Sequence, residues 1–552
     1  MFTKVNLQQR SIGIHCSLTA ETSIRIWAPK ANQLAIVVPD RSAVVALTAD
    51  QTGYWLGSSS LLKHGDKYHL LLDGHQVLPD PTSLSQPDGV HGESQIFDLD
   101  KYHWRDQNWV PIPLADYIIY ELHSGTFSPE GNFQGIISRL DHLVELGITA
   151  VEIMPVAQFP GERNWGYDGV FPFAVQDSYG GPGQFMELVD ACHAKGIAVI
   201  LDVVYNHLGP EGNYFESFGP YFTDKYQTPW GKAINFDDAG CDGVREFFLE
   251  NALMWFRDFH VDTLRLDAVH AIKDFGAHHI LQDLSEAVEE LGTVMGKSFQ
   301  LIVECDLNDP KFLVPKTENG YGMSAQWVDE FHHALRVAAG EGRQGYYADF
   351  EGIKSLEKAY RSAYVYDGQY SAHRDKHFGA PADGLRGDQF VVFSQNHDQV
   401  GNRMLGERSA QLYSFEMIKL MAAAVMVSPY LPMLFMGEEW AAQNPFLYFV
   451  SHTDPKLIKA VREGRKAEFA SFHQGDAPDP ESEDTFLQSK LDWEKVLGQG
   501  GQLMFKFYKK LIVVRKAFGA LRNGDRNNLS VEAIAEKNCL ILTRWEADTR
   551  VH

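Results

Sequence analysis

The sequence predicts a multidomain protein. It reads as an N-terminal β-sandwich, a central (β/α)8 TIM barrel and a short C-terminal β segment. Three observations lead there. A chain of 552 residues is too long for one compact core. Short alternating runs separated by turn residues fill residues 1–105. From Tyr117 onward, strand-length apolar runs alternate with stripes at helical spacing, and this happens eight times.

In the first part, Ser23-Ile24-Arg25-Ile26-Trp27-Ala28-Pro29 is a period-2 strand stopped by proline. Leu34–Val38 and Lys67–Leu72 are further strands, and no helical stripe interrupts them. Residues 106–518 carry the barrel. Tyr117–His123 is its first strand. Ile136, Leu140, Leu143 and Val144 recur at helical spacing before Gly147, a C′ cap. Ala150–Met154 is the second strand. Phe185, Leu188, Val189 and Cys192 make the next stripe, stopped by Gly196, and Ile197–Asp202 is the third strand. A loop-rich excursion over 208–242 precedes a helix near 243–258. Five more strands fall near 262–267, 299–304, 324–328, 389–394 and 432–436. Met504, Phe507, Tyr508, Leu511 and Ile512 form an amphipathic helix that closes the barrel. In 519–552 only Leu529–Ile534 and Cys539–Thr543 look like strands. Two strands bury no core of their own, so this segment either leans on the barrel or belongs to a C-terminal domain that the chain does not complete.

Composition narrows the function. Against 49 Lys and Arg stand 73 Asp and Glu, a net charge of −24 that argues against nucleic acid and anionic membranes as partners. The apolar run Leu420–Met436 is broken by Ser428, Pro429 and Pro432, so a buried helix followed by a strand is expected rather than a membrane span. Cys16, Cys192, Cys241, Cys305 and Cys539 are scattered, with no CxxC pair. They fit a reduced cytoplasmic setting better than a disulfide framework or a zinc site. The opening residues, MFTKVNLQQR, show no apolar leader core.

Four of the eight strands end in polar clusters: Asp202–His207, Leu264–His270, Val303–Asp306 and Ser394–Asp398. The C-terminal strand ends of such a barrel share one face, so the clusters should converge on a carboxylate-rich pocket. Cleaving a glycosidic bond with retention needs two carboxyl groups about 5–5.5 Å apart. Asp267 is the candidate nucleophile. Arg265 lies two residues away on the same strand face and would keep it ionised. Glu304 is the candidate acid/base, and its otherwise apolar strand would partly desolvate it and favour the protonated form. Asp398 could grip adjacent sugar hydroxyls. Asp202 could hold Arg265, His207 could donate to a sugar hydroxyl, and Tyr167 could stack under the ring. Taken singly, each has a plainer reading: a helix cap, a structural ion pair, a packed histidine, a core tyrosine. Their joint placement on four strand ends is what argues for a site. No close HxxxH or Dx[DN]x[DN]G spacing supports a catalytic metal, and no cofactor is expected.

The four clusters resemble the signature regions of the α-amylase superfamily of glycoside hydrolases: DVVYNH (202–207), LRLDAVH (264–270), VEC (303–305) and QNHDQ (395–399). The resemblance implies Asp267 as nucleophile, Glu304 as acid/base and Asp398 as transition-state stabiliser. It implies Arg265, Asp202, His207, His397 and Tyr167 as lining of the sugar subsite at the cleaved bond, with His270 and Asp329 as further substrate-binding residues. Finer stretches are similar to the trehalose-releasing branch. These are Pro79–Pro81 with Gln86–Gly92, Tyr205–Tyr214, Gln326–Leu335 and Pro445–Phe449. That branch cuts the α-1,4 bond between a maltodextrin chain and a terminal trehalose unit. The implied substrate is malto-oligosyltrehalose and the implied pathway partner is a malto-oligosyltrehalose synthase. A branching or debranching enzyme of the same superfamily is the alternative. Cys305 stands where a serine is more usual, and Glu330 where a second aspartate is, which raises a possible contact of Glu330 with the trehalose side. Many members bind calcium near the position of Asn206; this branch generally does not need it, so no metal is expected.

Overall fold

A computed structural model describes residues 5–16, 21–228, 231–469 and 477–552. The stretch read for a leader begins in residues 1–4, which lie outside the described residues.

The N-terminal region is two antiparallel sheets. One pairs Gly13–His15, Thr22–Trp27, Tyr54–Ser59 and Thr48–Ala49; the other is built on Leu34–Val38 and Lys67–Leu72. Alternation does the work the sequence implies: Ile24 and Ile26 point inward, as do Leu34, Ile36 and Val38, and Tyr68, Leu70 and Leu72. Helix Cys241–Arg257 of the barrel comes close to this region, and a Cβ on its Gly243 would meet the Trp27 indole at 2.1 Å. Glu246, one turn further along that helix, accepts from Arg25 and from the Tyr54 hydroxyl, each at 2.6 Å.

Eight parallel strands close into a barrel. They are β1 (Ile119–Leu122), β2 (Ala150–Ile153), β3 (Ala198–Val203), β4 (Thr263–Leu266), β5 (Gln300–Glu304), β6 (Ala325–Trp327), β7 (Phe390–Phe393) and β8 (Leu431–Phe435). These are the eight strands the sequence predicts. β6 keeps only three residues, which is why its period is the faintest. The lower barrel interior is a separate apolar cluster that includes Ile119, Ala150, Ile200, Ile302 and Phe393. Below it, Trp109 stacks on His193 with ring centroids 4.4 Å apart, and His193 bridges Asp106 and Asp262. The apolar cluster thus separates this polar cluster at the base from the polar upper end.

Flanking helices follow the predicted stripes with two differences. The helix before Gly147 is split into Phe133–Ile137 and Leu140–Leu146, and Val144 faces solvent while Leu140 and Leu143 are buried. Gly147 sits at φ 102°, where its N–H can close on the carbonyls of Leu143 and Val144. The excursion over 208–242 is more regular than a loop, because Phe222–Thr228 and Gly231–Ile234 pair as an antiparallel hairpin. Helix Phe415–Met426 leads into β8, as expected of Leu420–Met436. No described helix is long and apolar enough to cross a membrane.

The C-terminal segment contains three antiparallel strands rather than two: Leu529–Ile534, Cys539–Glu546 and Thr549–Val551. The third pairs with the far end of the second, beyond the stretch whose alternation is visible in the sequence. This sheet leans on the barrel. Arg544 is buried and donates to the carbonyls of Val427, Ser428, Leu521 and Asn523. Arg515 donates to Met426, Ser428 and Tyr430. Two cations thus cap the C-terminal end of helix Phe415–Met426, where the helix dipole is negative. Replacing Arg544 with Met keeps the volume but leaves those carbonyls without donors. A loss of about 2–4 kcal/mol in unfolding free energy is expected, with faster proteolysis between the barrel and the terminal sheet. An unchanged melting temperature and cleavage rate would show that the segment is held some other way.

Candidate active site

The upper barrel is organised by one guanidinium. Arg265 is the third residue of β4, points inward and is fully buried. Its Nη1 donates to both Asp202 oxygens, at 3.0 and 2.9 Å, and to Asp267 Oδ1 at 3.0 Å. Its Nη2 donates to Glu304 Oε2 at 3.0 Å. The face of Trp327, at the end of β6, lies 4.3 Å from the guanidinium carbon. The register explains the meeting, because Asp202 on β3 is directly opposite Arg265 on β4. A buried cation needs anions and donors' partners in place, and three carboxylates from three strand ends supply them.

Asp267 lies just past the end of β4. Asn206 Nδ2 donates to its Oδ2 at 2.7 Å and to its backbone carbonyl at 2.9 Å. Ala268 then adopts a left-handed conformation, φ 38° and ψ 49°, rare for a residue with a side chain. That turn aims the Ala268 N–H at Glu304 Oε2, 2.9 Å away. Glu304 closes β5 with its side chain 20% exposed. It is thus partly, not fully, shielded from solvent. One of its oxygens accepts two hydrogen bonds, while the group still reaches the cleft.

A second chain of contacts runs from Asp202 away from Arg265. The Tyr167 hydroxyl donates to Asp202 Oδ2 at 2.7 Å and lies 2.8 Å from His397 Nε2. Asp202 is an acceptor, so the hydroxyl's lone pair is free to accept from Nε2–H. On the other side of the ring, His397 Nδ1 faces Glu121 Oε1, and the His397 N–H donates to Glu121 Oε2 at 3.0 Å. Both ring nitrogens therefore act as donors, and His397 is an imidazolium. Burial alone would lower it, but the negative charges of Asp398 and Glu121 raise it to about 10. Burial raises Asp202, while Arg265 pulls it back.

These groups underlie a cleft of about 560 Å³ lined by Trp165, Tyr167, His207, Asp267, His270, Glu304, His397, Asp398, Tyr448 and Arg465, among others. Seven of the predicted residues are on its wall. Asp202 and Arg265 are not; they lie beneath it and act on the residues that are. Tyr167 stacks its ring on His397, with centroids 5.3 Å apart. His207 engages both nitrogens with protein atoms, Nδ1 with Asn206 Oδ1 at 2.5 Å and Nε2 with the Tyr167 carbonyl at 2.9 Å. Asp398 accepts from Asn402 Nδ2 at 3.1 Å. Asp329 is half-buried to one side, where Gln399 Nε2 donates to it at 3.2 Å. Burial, then the charges of Glu304 and Asp398, push Asp329 up to about 7. Glu330 does not line the cleft. It accepts from Asn308 Nδ2 and from the Val365 and Tyr366 N–H groups, so it braces the chain at 365–366 instead.

Several residues here escape a strand-end reading. Glu121 is an acid inside an apolar run, a signal that was present in Tyr117–His123. Asn206 stood inside a signature stretch without a role. Tyr448 and Arg465 come from the long connection after β8, where no periodic pattern marks them. As for metals, the Asn206 amide is spent on Asp267 and His207. Among the described residues no group of three or more His, Cys, Asp or Glu is placed to hold a metal ion.

The state of His397 has a measurable consequence. Its folded value is raised above the ordinary 6.5, so the stability it contributes is complete below that pH and is lost as pH climbs towards 10. The melting temperature of the protein should therefore fall between pH 6.5 and 10 more steeply than that of His397→Gln. Parallel pH profiles for the two proteins would contradict a charged His397.

Comparison with known proteins gives the family. The family described as Alpha amylase, catalytic domain, matches residues 76–230. The chain is 48% identical over 510 residues to a malto-oligosyltrehalose trehalohydrolase from Saccharolobus solfataricus, covering 92% of this chain and 87% of that one. It is 44% identical to the enzyme of the same name from Arthrobacter ramosus, covering 89% and 86%. Identity to a 1,4-alpha-glucan branching enzyme from Bacillus caldolyticus is 28%, over 76% of this chain and 64% of that one. Among solved structures, a Salmonella typhimurium protein described as a candidate alpha amylase superposes with TM-score 0.89 at 35% identity, covering 95% of this chain and 89% of that one. On this similarity, and with the barrel and its polar upper end in place, the chain belongs to the malto-oligosyltrehalose trehalohydrolase family of alpha-amylase-type glycoside hydrolases.

Proposed function

We propose that the chain is a retaining glycoside hydrolase that cuts the α-1,4-glucosidic bond next to the terminal trehalose of malto-oligosyltrehalose. It releases trehalose and a maltodextrin. The observation that supports a retaining mechanism is the single guanidinium of Arg265, which draws Asp267 and Glu304 together from neighbouring strands, one through each terminal nitrogen.

In this reading, protonated Glu304 donates its proton to the glycosidic oxygen as the bond to the anomeric carbon breaks, and trehalose leaves. An Asp267 oxygen bonds to that carbon and gives a glycosyl ester. Glu304, now a carboxylate, takes a proton from water as the water oxygen attacks the same carbon. Asp267 departs as carboxylate and the maltodextrin is freed. Proton transfer of this kind typically contributes about 10²–10⁴ in rate. Arg265 remains cationic throughout and favours the ionised nucleophile. Asp398, beside His397, faces the sugar ring, with Tyr167, His207 and His270 around it. Asp202 fixes Arg265 and Tyr167. Asp329 lies on the Glu304 side, where the departing trehalose must sit.

The domain limits 1–105, 106–518 and 519–552 belong to the same proposal, as does a cytoplasmic location, for which the five free cysteines speak. Enzymes that consume a trehalose-capped glucan need a synthase to cap it, so a malto-oligosyltrehalose synthase is the proposed pathway partner. No cofactor takes part in these steps.

Asp267→Asn keeps an oxygen for Arg265 but removes the nucleophile, and kcat/KM should fall roughly 10⁴-fold or more with the melting temperature little changed. Activity within tenfold of the parent would remove Asp267 from this role. Supplied separately with malto-oligosyltrehalose and with plain maltodextrin, the protein should release trehalose from the first faster than reducing ends from the second. The reverse order, or cleavage or formation of α-1,6 bonds, would instead favour the branching or debranching alternative.

A further inference from the structure

Below the cleft floor lie two acids that the proposed steps do not use. Glu121 on β1 and Glu152 on β2 are directly opposite each other in the parallel register. Neighbouring strands are about 4.8 Å apart, and residues two apart on a strand share a face. Ile119 and Ala150, two residues before each acid, belong to the apolar cluster inside the barrel. Both carboxyls therefore point inward, immediately above that cluster, and each residue is only 1% exposed.

Their surroundings differ sharply. Glu121 uses both oxygens on His397, one on the ring and one on the backbone N–H. Neither oxygen of Glu152 has a hydrogen-bond partner. The charged groups around Glu152 are Glu121 from β1, Asp202 from β3, Arg265 from β4 and His397 from the helix after β7. Of the two cations, Arg265 is already divided among Asp202, Asp267 and Glu304, and His397 is taken by Glu121. A second anion here would have neither a donor nor a counter-charge of its own, and a carboxylate so placed takes up a proton instead.

We infer that Glu121 and Glu152 hold one proton and one negative charge between them, and that this pair keeps His397 cationic beneath the cleft. Glu121 carries the charge and Glu152 the proton. Glu152 is a positioning residue in this scheme. It touches no substrate and acts through Glu121 and His397 on Tyr167, and on Asp398, whose Oδ1 lies 3.6 Å from His397 Nε2. Burial and the neighbouring charge of Glu121 raise Glu152 well above the usual carboxylate range, in keeping with this division. The arrangement also has a reserve. If Glu121 is neutralised, the proton on Glu152 is free to leave and a counter-charge to His397 returns.

An infrared difference spectrum, wild type minus Glu152→Gln at neutral pH, tests the proton directly. A protonated carboxyl C=O band that shifts in D2O is expected, and a carboxylate pair of bands in its place would overturn the assignment. The measurement needs no substrate, so it stands or falls separately from the reading of the reaction. Kinetics test the sharing. On malto-oligosyltrehalose, Glu152→Gln should cost kcat/KM less than about threefold, Glu121→Gln about tenfold and the double variant more than about a thousandfold, because only the double variant removes both acids beneath His397 and leaves it Asp398 alone, on the cleft side. A double variant equal to the product of the singles would refute the shared charge. Melting curves on all three keep a loss of fold from being read as a loss of charge, and if Glu121→Gln fails to fold, the infrared band still decides.

Discussion

Everything at the upper end of the barrel depends on a guanidinium that water never reaches. A buried arginine is stable only where its donors meet acceptors and its charge meets opposite charge. Arg265 meets that need at its two terminal nitrogens by collecting Asp202, Asp267 and Glu304 from three successive strands, while its Nε has no partner. The requirement works in both directions. The cation holds the carboxylates where they are, and without it three acids around one small space would repel one another and take up protons. Planarity matters as much as charge. Arg265 gives Asp202 and Asp267 one nitrogen and Glu304 the other, a division that the point charge of a lysine would not reproduce.

Around this centre, strands and loops divide the labour. Strands place Asp202, Arg265 and Glu304 with the precision of a hydrogen-bonded ladder. The loops begin within a residue or two, and there the backbone bends to serve the carboxylates. Ala268 is held left-handed so that its N–H meets Glu304, and Asn206 reaches across from the end of β3 to Asp267. A strained residue persists only where its surroundings over-determine it, and here a short backbone-to-carboxylate bond does so. Further out, residues 438–493 contribute Tyr448 and Arg465 to the cleft wall. The strand ends specify a carboxylate chemistry. The choice among glucan substrates must come from these outer walls.

This gradient also sets how much of the molecule is legible in its sequence. The eight strands can be read because each is an apolar run with its own period, and the acids at their ends stand out against that background. Arg265 and Asp267 can be read as partners because they are two residues apart on one strand. Glu304 and Asp202 join them only if the barrel closes in register, which the repeat implies without showing. The depth of each residue cannot be read. Asp202 and Arg265 resemble the lining residues in type, yet they lie under the floor, because depth depends on strand tilt and on what packs above. Glu330 is a similar case: its residue type suggests a sugar contact, but three donors from 308, 365 and 366 claim it. The third C-terminal strand is hidden for a different reason. Thr549–Val551 is too short to display a period and is defined only by its partner.

The polar layers continue downward further than the chemistry of the cleft requires, and charge balance explains where they stop. Starting at Asp398, the sequence of contacts is an anion, then the His397 cation, then Glu121 as anion. A parallel line runs from Asp267 and Glu304 through Arg265 to Asp202, and Tyr167 ties the two lines together through its hydroxyl. Each cation lies between acids of the upper and lower layers, so each line can be buried without a large net charge at its lower end. Directly below Glu121 and Glu152 the interior turns apolar with Ile119 and Ala150. An acid at that boundary is tolerable only if it is paired or neutral. Glu121 meets the first condition, and Glu152, with no partner at either oxygen, is left with the second. The layers that hold the site in its charged form thus end at the apolar cluster, with an acid that no cation partners.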